Sequence, residues 1–206
     1  MTAQINDIFL YKEKEYAVAG ISEGNLFDPA MLNLEPRAAS TNCWRGYQAI
    51  FAVSESQLLL ANLRINLFEG FQDYQRKQGP PINDCAPAAS STKNDEFIER
   101  LFNNHYEGIN YPLDYSGGLL IADGFLSELY VHMGFHPAWK YTEVIEIIFE
   151  NGVLEKITDR SQKMQEIRSK FAEFRSKERP SGKFEMPSEG QIREFVERAF
   201  DRSYKI

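Results

Sequence analysis

The stretch VIEIIFENGVLEKI, residues 144–157, decides the fold class. An apolar run over 144–149 meets Asn151-Gly152, and a second apolar segment follows over 153–157. Asn-Gly readily takes the positive φ angles of a type I′ turn, whose twist matches the strands it joins, so these residues predict a β-hairpin. Working outward, residues 119–121 lead through Asp123-Gly124 into 125–132 with the same signal, predicting a second hairpin. Two further hairpins are expected at 5–11 with 16–21, about Lys12 to Glu15, and at 47–53 with 58–67, about Ser54 to Ser56. These two turns lack glycine.

Alternation indicates which faces are buried. Leu59, Ala61, Leu63, Ile65 and Leu67 point one way while Asn62, Arg64 and Asn66 point the other. Tyr47, Ala49, Phe51 and Val53 repeat the period on the partner strand, so the pair presents one apolar surface. About eight strands in successive hairpins predict a curved antiparallel sheet or partly open barrel.

Beyond residue 158 the period changes from 2 to about 3.6. Asp159 and Gln162 have capping-box spacing, and Met164, Ile167, Phe171 and Phe174 recur at helical intervals until Pro180. A second helix is expected after Pro187, burying Ile192, Phe195, Val196, Ala199 and Phe200. Residues 159–202 therefore predict a pair of amphipathic helices packed on the sheet, with Phe171 and Phe195 as buried anchors, and the class is α+β. A shorter helix is expected at 95–103, and the Pro- and Ser-rich stretch 79–93 predicts an internal mobile loop. Neither group of hairpins has a core of its own, so residues 1–206 are taken as a single domain.

Composition narrows the function classes. Hydrophobic residues at 43% and charged residues at 26% are those of a globular chain, which excludes wholesale disorder. The net charge of -7 is uneven: residues 1–154 carry 10 Lys and Arg against 20 Asp and Glu, while residues 155–206 carry 13 against 10. An acidic body argues against nucleic acid, and the basic charges of the tail interleave with acids at helical spacing, as on a solvated helix face. No leader-like run opens the sequence and every apolar stretch is broken well before the roughly 18 residues a membrane span needs, so a cytoplasmic protein without membrane contact is expected. Cys43 and Cys85 have no CxxC spacing and suit reduced thiols, and no metal or other cofactor is implied.

The stretch 130–141 packs Tyr130, His132, His136 and Trp139 into twelve residues. Two histidines four apart bind metal on a helix, but Gly134 and Pro137 forbid one here. On the expected strand, Glu128, Tyr130 and His132 share a face, with Glu128 and His132 about 13 Å apart at roughly 3.3 Å per residue, too far for a direct dyad. A nucleophile would need an activated thiol. Arg45 is close enough in sequence to Cys43 to lower its pKa, but a Cys43, His132 and Asp123 grouping is no more than three common residue types. Arg45, in Cys43-Trp44-Arg45-Gly46-Tyr47, equally suits a guanidinium packed on rings at a strand start.

That segment, and the stretch from Gly117-Gly118-Leu119-Leu120 through Tyr130-Val131-His132-Met133-Gly134-Phe135, resemble segments of uncharacterised bacterial proteins without assigned activity. The resemblance covers about half the chain and implies a bacterial source, but no catalytic residues. Function is therefore open, and an enzyme is not the first expectation. The leading expectation is a non-catalytic binding protein that masks a basic protein partner, in keeping with the acidic body and high aromatic content. The alternative is a small-molecule binder or enzyme with a pocket near Tyr130, His132, His136 and Trp139, with Arg45 a further candidate ligand-binding residue. An exposed edge strand would also make a homodimer.

Overall fold

The computed structural model describes residues 2–38, 40–70, 75–89 and 101–177, the last seven of these by backbone alone, together with 202, 204 and 206. Nine strands form one sheet: β1 (Ile8–Tyr11), β2 (Lys14–Ile21), β3 (Tyr47–Ser54), β4 (Gln57–Ile65), β5 (Asn104–Tyr106), β6 (Tyr111–Pro112), β7 (Gly117–Phe125), β8 (Tyr141–Glu150) and β9 (Val153–Asp159). The order is β3-β1-β2-β7-β8-β9-β4-β5, with β6 on β4 and a further β3–β4 pairing, so β4 meets both ends of the path. All pairings are antiparallel except β1 with β3. The helix α1 (Ser161–Lys177) follows β9 directly.

Three of the four expected hairpins form. Asn151 and Gly152 have φ of 49° and 76° and pair Glu150 with Val153. The two turns without glycine reach the same conformation, with Lys12 and Glu13 at 50° and 62° and Glu55 and Ser56 at 50° and 66°. Antiparallel twist imposes that geometry, and the ladders on either side offset the strain of positive φ in side-chain-bearing residues.

The fourth hairpin is elsewhere. β7 runs straight through Asp123-Gly124 to pair Phe125 with Tyr141, so the return strand is β8 and residues 126–140 are a long connection. Gly124 takes φ of +68° inside the strand. Burial on β4 also departs from simple alternation. Leu58, Leu60, Leu63 and Ile65 are fully buried and Leu59 is not, because the register slips between Ile50 and Phe51 and the bulge at Ala61 exchanges the two faces.

The expected α+β molecule, with a partly open barrel and two C-terminal helices, is corrected. Among the described residues the structure is mostly β, with one nine-stranded sheet and a single helix of seven or more residues. The helix expected after Pro187, its Phe195 anchor, the Phe171 side chain and most of the helix expected at 95–103 lie outside the described residues. α1 docks through Met164 and Ile167, the first two residues of the expected stripe: Met164 is fully buried among Ala19, Leu120, Ala122, Tyr141 and Val144, with Ile167 packed beside it. Burial of a side chain this size contributes roughly 1.5–3 kcal/mol. At the helix start Asp159 Oδ1 accepts from the Ser161 N–H at 2.8 Å.

β7 is covered on both faces, which explains its unbroken run Leu119 to Ala122. Leu119 and Ile121 join the main core with Phe9, Phe51, Leu63, Tyr106, Ile147 and Phe149, while Leu120 and Ala122 face α1. Residues 79–89 are tied to β5, where Asn104 Oδ1 accepts from the Gly79 N–H at 3.2 Å, Tyr106 donates to the Pro80 carbonyl at 2.9 Å, and Ala88 bridges His105.

Candidate functional site

The N-terminal segment lies against the approach to β3. Ile5 donates to the Asn42 carbonyl at 2.8 Å, Gln4 Oε1 accepts from the Trp44 N–H at 2.9 Å, and Gln4 Nε2 donates to the Thr41 carbonyl at 3.0 Å. Gly46 then turns the chain with φ of +72°. A Cβ there would stand 2.5 Å from the Arg37 backbone, so both the angle and the space require glycine. This turn places Arg45 over Asp7, the residue that leads into β1.

Asp7 is buried and fully engaged. Arg45 donates to it through both terminal nitrogens, at 2.9 Å to Oδ2 and 3.0 Å to Oδ1; the Ala49 N–H donates to Oδ1 at 2.8 Å; and Arg202 Nη1 donates to Oδ2 at 2.7 Å. Phe135, from the β7–β8 connection, stacks with both cations, its ring centroid 5.2 Å from the Arg45 guanidinium carbon and 4.4 Å from that of Arg202. The Tyr47 ring lies 4.6 Å from Arg45 on another side. Two guanidiniums thus share one carboxylate, leaving one positive charge in excess. The side chain of Arg202 is only 9% exposed, and its Nη2 is buried with no hydrogen-bond partner among the described residues.

Beside this triad opens a cavity of about 400 Å³. Ile21, Leu26, Phe27, Pro29, Tyr47 and Phe135 give it apolar walls, Asp7, Arg45 and Arg202 give it a charged floor, and Asp28 stands at an exposed position. Asp28 is held there by capping the 3-10 turn Pro29–Leu32, its Oδ1 accepting from the Ala30 N–H at 2.9 Å. Burial alone would raise the Asp7 pKa, but the charges of Arg202 and Arg45 outweigh it and hold the carboxyl well below its usual range. Burial opposes charge on Arg45 too, yet Asp7 lifts its pKa above the ordinary value; for Arg202 burial wins and the pKa is lowered. Arg202 is therefore the member whose charge is least compensated.

The residues singled out from the sequence fall into two places. Tyr130, His132 and His136 converge, with the Tyr130 ring 4.8 Å from His132 and 5.2 Å from His136, and Phe125 closes on His136 at 4.6 Å. They do so from the irregular β7–β8 connection, since residues 127–129 form a 3-10 turn and not the strand that would have set Glu128, Tyr130 and His132 on one face. Trp139 lies in the 3-10 turn Ala138–Lys140 and packs toward the α1 side of the sheet. Arg45 belongs to the other cluster, beside the cavity. His136 Nδ1 lies 3.3 Å from Lys140 Nζ and its Nε2 is buried without a partner among the described residues. Burial and then the Lys140 charge push the His136 pKa down to about 4, and burial lowers Lys140.

The thiol and metal candidates are not assembled. Cys43 is buried with Sγ donating to the Tyr47 carbonyl at 3.4 Å, and burial raises its pKa against the pull of Arg45, which disfavours the thiolate. Asp123 pairs instead with Lys14 at 2.8 Å. Among the described residues no group of three His, Cys, Asp or Glu is placed to hold a metal ion, and no helix is long and apolar enough to cross a membrane.

Sequence reasoning found Arg45 but missed Asp7, Phe135 and Arg202. Nothing local marks them, because 38 positions separate Asp7 from Arg45 and Arg202 arrives from the far end of the chain. Comparison with family models, with curated proteins and with solved structures finds no match to this chain.

Proposed function

We propose that the protein binds a small organic monoanion, an aromatic or aliphatic carboxylate, in the cavity floored by Arg45 and Arg202. The observation that carries this reading is the sharing of one buried carboxylate by two guanidiniums, that of Arg202 nearly buried and that of Arg45 about a quarter exposed, at the edge of a cavity with mixed apolar and polar walls. A guanidinium cannot shed its proton to escape burial, so the excess charge calls for a counter-anion, and the unpartnered Arg202 nitrogen offers it a donor. The cavity volume falls in the range of small-molecule sites. Asp7 and Asp28 formally cancel Arg45 and Arg202 over the whole lining, which favours one negative charge on an apolar body over a multiply charged phosphate.

An acidic body that masks a basic protein is supported by net charge alone, whereas the cavity offers specific chemistry. The test is calorimetric titration and thermal unfolding of the full chain with benzoate, octanoate and inorganic phosphate. A carboxylate is expected to bind one per chain, to stabilise the fold by about 2.7 kcal/mol at a hundred times its dissociation constant, and to lose that effect in Arg202→Met. The proposal fails if neither carboxylate binds at about 10 mM, a binding free energy of only about -2.7 kcal/mol, if Arg202→Met binds unchanged, or if phosphate binds more tightly than both.

A further inference from the structure

Arg202 is held in the site by its backbone and by a contact two residues further on, outside the cavity. The Ile21 N–H, at the end of β2, donates to the Arg202 carbonyl at 3.1 Å, tying the C-terminal segment to the sheet. Two residues on, the Tyr204 hydroxyl donates to Glu146 Oε1. Glu146 is a buried carboxylate of β8 whose other oxygen is fixed by Arg160, through Nε at 3.0 Å and Nη2 at 2.7 Å. The Tyr204 ring lies over Gly118 of β7 so closely that a Cβ there would stand 2.2 Å from its hydroxyl oxygen. A seat that only glycine leaves open, and a carboxylate already oriented by an arginine, fix Tyr204 in one place. None of Gly118, Glu146, Arg160 and Tyr204 lines the cavity.

We propose that Tyr204 and Glu146 are positioning residues for the anion site, so that docking of the C-terminal segment and occupancy of the cavity reinforce each other. The assignment rests on the cavity being an anion site. With the cavity empty, Arg202 is buried against a like charge with half a carboxylate to offset it, and this opposes docking. A bound anion supplies the second counter-charge and favours docking. Linkage then makes the effect reciprocal: the factor by which a bound anion favours docking is the factor by which docking strengthens the anion, so a variant that undocks the segment loses that affinity.

Tyr204→Phe removes the hydroxyl and keeps the ring over Gly118, and Glu146→Gln weakens the same bond from the other side. Each variant is compared with the parent full chain for benzoate affinity by calorimetry, at a temperature where circular dichroism shows all of them folded. The rate at which a carboxypeptidase removes the C-terminal residues is followed with and without benzoate. Affinity is expected to fall about tenfold in both variants, and benzoate is expected to slow digestion of the parent chain but not of Arg202→Met. If the parent binds benzoate while both variants bind it equally well, or if benzoate leaves the parent's digestion rate unchanged, the positioning role is overturned and the anion site stands. If the parent does not bind benzoate or octanoate at all, the anion site falls and takes this inference with it.

Discussion

Phe135 and His136 are neighbours in the chain and belong to opposite kinds of cationic cluster. Phe135 stacks between Arg45 and Arg202, which keep their charge beside the buried carboxylate of Asp7. His136 faces Lys140 with, among the described residues, no carboxylate paired to either. Burial penalises charge in both places, and the side chains answer it differently. Guanidiniums cannot lose their protons and must be given a counter-charge, so the first cluster is built around Asp7. Imidazole and amine can lose theirs, and the second cluster is pushed toward neutrality. The first is therefore the place for the anion proposed above, and the second a place where acid is expected to do damage.

The sharpest way to break this comparison is to remove the counter-charge. Asp7→Asn keeps the shape of the side chain and leaves the nearly buried Arg202 and the partly buried Arg45 beside a neutral amide. Breaking a buried pair in this way costs about 3–5 kcal/mol, the largest effect expected in the molecule. Urea denaturation at pH 7 reads it directly. An unchanged midpoint would mean that Asp7 does not hold the cluster together, and the contrast with Lys140 would dissolve. Added benzoate is expected to restore part of the loss, since it supplies the missing negative charge.

Acid separates the clusters next, because their pH windows do not overlap. Asp7 has a depressed folded-state pKa, so its contribution is fully present above its ordinary value of 3.8 and is lost only as pH falls below that. His136 is a base whose folded-state pKa is lowered from 6.5 to about 4. The unfolded chain takes up a proton near pH 6.5 while the folded chain resists it, so stability is complete above 6.5 and declines toward pH 4. At 1.36 kcal/mol per pKa unit the decline is at most roughly 3 kcal/mol. Denaturation midpoints measured at intervals between pH 7 and pH 4 are expected to show it in the parent and not in His136→Phe. A parent profile that is flat across this window would remove His136 as a buried neutral base.

The two clusters also differ in how legible they are in the sequence. The His136 cluster is local, all of its rings falling between Phe125 and Tyr141, so proximity in sequence was enough to mark it. The arginine cluster is assembled by sheet topology, and only Arg45 carried a visible signal. The fold itself divides in the same way. Turns that sit between clear apolar runs were legible even at Lys12-Glu13 and Glu55-Ser56, because antiparallel twist fixes their geometry whatever the residue. Asp123-Gly124 misled because a positive φ can also be spent inside a strand. There the Thr142 hydroxyl donates to the Gly124 carbonyl at 3.2 Å and the β7–β8 ladder continues to Phe125. The bulge at Ala61 was equally invisible, since either face of Leu58 to Ile65 offers apolar residues and only the partner strand decides which is buried.

The smallest expected effect concerns Lys140. As an ammonium it donates to His136 Nδ1, which places the imidazole proton on Nε2, where it meets no acceptor among the described residues. Lys140→Met retains most of the buried stem and deletes the charge. Without a carboxylate to strand, the loss of that charge is expected to leave stability at pH 7 within about 1 kcal/mol of the parent, on the stabilising side if anything. This is the reverse of Asp7→Asn, in which a charge is stranded. The substitution also removes the second cause of the low His136 pKa and leaves the first, burial, in place. The His136 pKa then rises toward its ordinary value and the gap to the unfolded chain narrows. The stability lost between pH 6.5 and pH 4 shrinks but does not vanish. NMR titration of the His136 imidazole in the parent and in Lys140→Met, with denaturation midpoints at pH 7 and pH 5, measures both effects. A cost of several kcal/mol at pH 7, or a His136 pKa that falls further, would show that Lys140 is a compensated charge after all and that the two clusters obey the same rule.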